Sequence, residues 1–159
     1  MKLYYLSEDV FMLDEMIKSL DENLECVEYK TSENQYVITV QSLTKEVICP
    51  YCQTSSAKVH SIYNREIQDL PIQDKQTLLL INTRKMFCVN PDCNHKTFAE
   101  TFEFVVRHGK KTKRLVEKIL ATSTKLSSVS ASILLKNNSV KVCKSSICDL
   151  VKKNATHCG

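Results

Sequence analysis

Four cysteines fall into two close pairs, Cys49-Pro50-Tyr51-Cys52 and Cys88-Val89-Asn90-Pro91-Asp92-Cys93, with 35 residues between them. Two thiolates separated by two to four residues reach one ion from a single turn, and two such pairs complete a tetrahedron around zinc. Each pair contains a proline, Pro50 or Pro91, whose fixed φ and missing N–H favour a bend over a ladder position. The competing reading is four buried free thiols in a small β domain, since cysteine buries readily. Paired ligand spacing repeated with a turn proline argues for the metal, one Zn²⁺ per chain. Four thiolates leave no coordination position for water, and the His-x-Glu companion of zinc deaminases is absent, so the expected role is structural. His95, two residues beyond Cys93, is expected on the surface beside the site, and His60 on a strand. Cys26, Cys143, Cys148 and Cys158 show no pairing at ligand spacing.

Elements able to hold such a site are readable around it. Residues 58–63, 66–70 and 77–87 read as strands, and residues 46–103 as a zinc-ribbon-like antiparallel β domain. About 55 residues is marginal for an independent core, and a structural zinc can add ~10 to 16 kcal/mol of apparent folding free energy. After Phe98 and Phe102 the pattern turns helical. Leu115, Val116, Ile119 and Leu120 mark one helix, and a second is capped by Ser127 or Ser128 with Val129, Ile133 and Leu134 as its apolar face. That helix should stop near Asn137-Asn138, because asparagine tolerates the left-handed conformation. A third, from about Lys144 to Lys153, should turn Ile147, Leu150 and Val151 inward. The expected fold is therefore α+β: an acidic helix and strand segment over 1–45, the zinc-binding β domain over 46–103, and a basic helix-turn-helix domain over 104–155.

Charge separates these parts. Of 159 residues, 1–48 carry four basic and ten acidic side chains, 49–103 carry six of each, and 104–159 carry twelve basic and two acidic, hidden in a net charge of +4. A basic end of this kind usually meets a polyanion; the bland reading is a solvated helical face. On the third helix the residues away from the apolar stripe are Lys144, Ser145, Cys148, Asp149 and Lys152. Lys144 and Ser145 are placed to reach base edges in a major groove. Lys110, Lys111, Lys113 and Arg114 are expected on phosphates, adding salt-dependent affinity. Two glycines, Gly109 and Gly159, exclude a phosphate-cradling loop and hence a nucleotide. No apolar run reaches the ~18 to 20 residues of a membrane span, and the N-terminus turns acidic within eight residues, unlike a signal peptide. A reducing cytoplasm is the expected compartment.

Taken together, Cys49-Pro50-Tyr51-Cys52, Val59-His60-Ser61-Ile62-Tyr63, Asp69-Leu70-Pro71, Arg84-Lys85-Met86-Phe87-Cys88-Val89-Asn90-Pro91-Asp92-Cys93 and Lys96-Thr97-Phe98-Ala99-Glu100 resemble the N-terminal zinc-finger region of bacterial insertion-sequence transposases of the ISL-three type. The resemblance continues through a helix-turn-helix, here Val129 to Lys153, and covers about two thirds of the chain; residues 1–45 match loosely. It implies double-stranded DNA as partner, recognised at the terminal inverted repeats of the element, and a nucleoid-associated cytoplasmic protein. In the family a further domain with Asp and Glu metal ligands cuts and joins DNA. After Glu103 only Glu117 and Asp149 remain as acids here, so the expectation is a truncated transposase, inactive alone, that binds ends without processing them. Two positions depart from the pattern: Gln53 stands where a glycine often follows the knuckle, and Cys143 where a serine would cap the reading helix. The alternative is a free-standing regulatory or interaction protein. In that reading the acidic helix, with Val10, Phe11, Leu13, Met16, Ile17 and Leu20, mediates assembly into a homo-oligomer. An active nuclease ranks last on the carboxylate count.

Overall fold

The computed structural model describes residues 8–155. In chain order these form α1 (Glu8–Lys18), β1 (Leu24–Thr31), β2 (Gln35–Ser42), β3 (Val47–Ile48), β4 (Ser55–Ser56), β5 (Val59–Ile72), β6 (Lys75–Phe87), β7 (Thr97–Ala99), α2 (Lys113–Ser123), α3 (Ser128–Asn137) and α4 (Lys144–Ala155). The fold is the mixed α+β expected from the sequence. No helix among the described residues is long and apolar enough to cross a membrane. Cys158 and the side chain of Val10 lie outside what is described.

The main sheet has the order β1-β2-β6-β5, with β7 also paired to β6, and β3 with β4 forms a separate two-stranded sheet. The strands expected at 58–63 and 66–70 are one continuous strand, β5, because Asn64-Arg65 between them supplies neither the glycine nor the proline that ends a strand. β5 and β6 are joined through Gln73 and Asp74, whose φ values of 49° and 60° are those of a type I′ hairpin turn. Along β6, Thr77, Leu79, Ile81 and Thr83 are buried in strict alternation. The phase then changes so that Met86 is buried, beside Cys49, Cys93 and Phe98.

Packing divides the chain into two compact units. The first takes the residues up to Tyr29, Ile38–Glu66 and Leu79–Glu103. Within it α1 buries Leu13 and Ile17, one turn apart, while Phe11 and Met12 are exposed. Asp14 ties α1 to β1 by accepting the Cys26 N–H at 3.0 Å, and it also pairs with Lys18 at 2.6 Å. Arg84 forms a fork with the buried Glu100, Nε to Oε2 at 2.9 Å and Nη2 to Oε1 at 2.6 Å. It further donates to the Thr44 carbonyl at 2.8 Å. A planar guanidinium meets a carboxylate in this two-point geometry, which a lysine cannot reproduce.

The second unit takes Lys30–Val37, Ile67–Leu78 and the residues from Phe104 onward. Its helices α2, α3 and α4 each pack on the other two around Leu115, Ile119, Ala131, Leu135, Val140, Val142 and Ile147. Ser127 caps α3 by accepting the Ser130 N–H at 3.2 Å. The face of α3 is not the expected one. Ala131 and Leu135 are buried, and Val129, Ile133 and Leu134 are exposed. The apolar residues of α3 are scattered around the helix instead of gathered in one stripe, so periodicity cannot select a face. On α4, Ile147 is buried and Leu150 half-buried, but Val151 is exposed. α3 stops at Asn137, yet the left-handed residue is Ser139, at φ 61°, while the Asn138 side chain donates to the Leu134 carbonyl at 2.9 Å.

Candidate metal centre and nucleic-acid interface

Two tight hairpins carry the cysteine pairs. The first joins β3 to β4, in register Val47 with Ser56 and Ile48 with Ser55. Its turn is closed by Cys49 N–H to the Thr54 carbonyl and Gln53 N–H to the Cys49 carbonyl, both 2.9 Å. Gln53 adopts φ 59°, the left-handed conformation that explains why glycine is the easier residue there. The second joins β6 to β7, with Phe87 opposite Thr97. Cys88 N–H donates to the Lys96 carbonyl at 2.9 Å, and the Asn90 side chain accepts the Asp92 N–H at 3.0 Å, shaping the turn that returns Cys93. Ser56 Oγ bridges the hairpins by donating to the Phe87 carbonyl at 2.7 Å.

The result is convergence of four sulfurs. The Sγ atoms of Cys49, Cys52, Cys88 and Cys93 lie within 4.8 Å of one another, those of Cys52 and Cys88 at 3.5 Å. Thiolates around tetrahedral zinc, each with a Zn–S bond of ~2.3 Å, sit about 3.8 Å apart, so the set fits one Zn²⁺. Cys49 and Cys93 are buried against Met86 and Phe98, with Val47 packed alongside. Hydrogen bonds from Thr54 pull the Cys52 thiol down to about 6, whereas burial pushes Cys88 up to about 12. Without metal Cys88 therefore retains its proton at neutral pH, and zinc must displace it. His95 is exposed and outside the cluster, its ring stacked on Tyr51 at 3.4 Å between centroids. His60 is an exposed residue of β5, with its ring 4.8 Å from that of Phe87.

The basic end is organised by residues to which sequence reading assigned no task. Gln68 N–H donates to the Lys110 carbonyl at 2.9 Å, and Thr112 N–H to the Gln68 carbonyl at 3.0 Å, so the segment before α2 is fastened to β5. The Gln68 amide, oriented to suit its partners, donates to the Lys141 carbonyl at 3.0 Å and accepts the Lys141 N–H at 2.8 Å, holding the connection between α3 and α4. Next to it the Asp69 carboxylate, 1% exposed, accepts from Thr112 Oγ1 at 2.7 Å and Arg114 Nε at 2.8 Å, and pairs with Arg114 Nη2 as well. Thr112 in turn caps α2, taking the Leu115 N–H at 3.3 Å. Leu70 then packs on the helical core. The signal was present as Asp69-Leu70-Pro71, but its partners lie about 45 residues away and no local pattern names them.

Of the residues expected on DNA, Lys110, Lys113, Lys144, Ser145, Asp149 and Lys152 have exposed side chains. Lys111 is half-buried, and burial lowers its pKa. Arg114 pairs with Asp69, which raises its pKa further, and its side chain stays about one third exposed. The run Arg107–Lys111 is a tight loop rather than the start of a helix, closed by Val106 N–H to the Lys111 carbonyl at 3.1 Å. His108 takes the positive φ of 56°, and Gly109 eases a close approach, since a Cβ there would lie 3.0 Å from Val106 Cβ. At the start of α4 the Cys143 sulfur fills the capping place, 3.1 Å from both Ser145 Oγ and Ser146 Oγ.

Two outcomes follow from this geometry. Elemental analysis of the purified chain should return one zinc, released on acidification as the thiolates take up protons, and Cys88→Ser should abolish binding and unfold both hairpins. A folded, metal-free preparation would contradict the site. Hydrogen bonds from Ser145 and Ser146 pull the Cys143 thiol down from 9.0 to about 7. Its thiolate therefore supports α4 fully above pH 9 and progressively less as pH falls through 7. Alkylation of Cys143 followed by peptide mass spectrometry should show half-maximal rate near pH 7; a midpoint near 9 would show that the capping contacts are not made.

Residues 45–95 match the family model described as the zinc-finger of transposase IS204/IS1001/IS1096/IS1165. The matched span is about a third of the chain and contains all four cysteines. No curated protein and no solved structure matches the chain. Over that span the chain is similar to the zinc ribbon of ISL-three transposases, with a four-cysteine cluster consistent with one structural zinc site.

Proposed function

We propose that the chain binds double-stranded DNA at the terminal inverted repeats of a transposable element, with α3, the connection after it and α4 acting as a helix-turn-helix. The observation that carries this reading is the outer face of α4. Lys144, Ser145, Asp149 and Lys152 are all exposed there, on a segment with twelve basic and two acidic residues. Lys144 and Ser145, in the first turn of α4, read base edges in the major groove. Lys110, Lys111 and Lys113 contact phosphates, and Arg114 serves by fixing α2 through Asp69. The likeness of residues 45–95 to a transposase zinc finger supports a transposon end as the target over an unrelated operator.

A competing reading is a free-standing regulatory or interaction protein, favoured by the exposure of Phe11 and Met12 on the acidic helix α1. Gel-shift titration separates the two. Duplex carrying the inverted repeat should bind more tightly than scrambled duplex, and Lys144→Ala should reduce that preference by about 1 to 3 kcal/mol. Lys110→Ala and Lys113→Ala should weaken both duplexes alike and each lower the slope of log affinity against log salt by about 1. Equal affinity for the repeat and the scrambled duplex would contradict specific recognition.

A further inference from the structure

The outer half of β5 is an open sheet edge. β5 ends the strand order of its sheet and pairs with β6 on one side. Farther along, at Gln68, its other side is covered by Lys110 and Thr112. Over Val59–Asn64 no such cover exists among the described residues, and all six side chains are exposed, Ile62 at 63% and Tyr63 at 42%. Proteins normally guard such edges with lysine, proline or a charge pointing inward. Val59-His60-Ser61-Ile62-Tyr63-Asn64 has none of these, and β-branched and aromatic residues fill half of it. The charges stand at its two ends instead: Lys58 before it, Arg65 and Glu66 after it.

We propose that this edge is closed by a second copy of the chain, β5 pairing antiparallel with β5 about a two-fold axis at Ile62. Charge complementarity selects this arrangement. Antiparallel pairing about Ile62 sets Lys58 of each copy opposite Glu66 of the other, His60 opposite Asn64, and Ile62 opposite itself. Pairing the strands in parallel would align Lys58 with Lys58 and Glu66 with Glu66, and like charges directly opposite destabilise a ladder. An isologous contact of this kind closes on itself and leaves no further edge of the same type. With only the nine residues Lys58–Glu66 in the ladder the interface is small, so association is weak and depends on concentration. It stands apart from the DNA reading, because it requires no DNA.

Sedimentation equilibrium of the zinc-loaded full chain, without DNA, tests it between roughly 5 and 500 µM. Wild type should rise from monomer toward dimer mass. Ile62→Lys and Glu66→Lys should each weaken association by about tenfold or more, with circular dichroism and zinc content unchanged. Combining Lys58→Glu with Glu66→Lys should restore the dimer, an outcome peculiar to the antiparallel register. A wild-type chain that stays monomeric, a dimer indifferent to Ile62→Lys, or a double reversal that fails to restore association would each overturn the proposal.

Discussion

The helical unit depends on a carboxylate taken almost entirely out of water. Asp69 is 1% exposed, and its compensation comes from Thr112 and Arg114, more than forty residues later in the chain. Removing one partner of such a pair typically costs about 3 to 5 kcal/mol, because the other is left charged and unpaired. Arg114 is about one third exposed, which places the cost toward the lower end. What the pair secures is geometry. Thr112 cannot cap α2 and face Asp69 unless α2 starts at one place, and Gln68 beside it holds Lys141 by two hydrogen bonds. The start of α2 and the connection leading into α4 are thereby referenced to two neighbouring residues of one strand.

The metal centre follows a different logic within its own unit. Its hairpins are short, β3 and β4 having two residues each, and the hydrophobic cluster around them consists of Met86, Phe98, Val47 and the cysteines themselves. A core of that size does not hold two turns together unaided, so the ion supplies what apolar burial cannot. Arg84 and Glu100 add a directional pair on the strand that leads into the second cysteine turn. Both keep the knuckle's supporting strands in place.

What could be read from the sequence was local. Cysteine spacing at two and four intervening residues reports a metal turn by itself, and Ser127 and the periodic apolar residues report helices within one or two turns. Whatever depended on distant partners could not be read. Arg114 sits in a basic run, and nothing nearby reveals Asp69 as its partner. Val129, Ile133 and Leu134 looked like a core face because α3 is apolar on several sides, and only tertiary packing chose Ala131 and Leu135. β5 looked like two strands because the polar pair Asn64-Arg65 interrupts it in sequence, while the backbone runs on through both residues.

The claim that the Asp69 contacts hold the three C-terminal helices is tested most directly by amide hydrogen exchange on the Asp69→Ala chain at neutral pH. Loss of a buried partner should lower protection of α2, α3 and α4 together by about 100-fold, the equivalent of ~3 kcal/mol, while the amides of the two cysteine hairpins keep theirs. Protection across the three helices equal to that of the wild type would contradict the account.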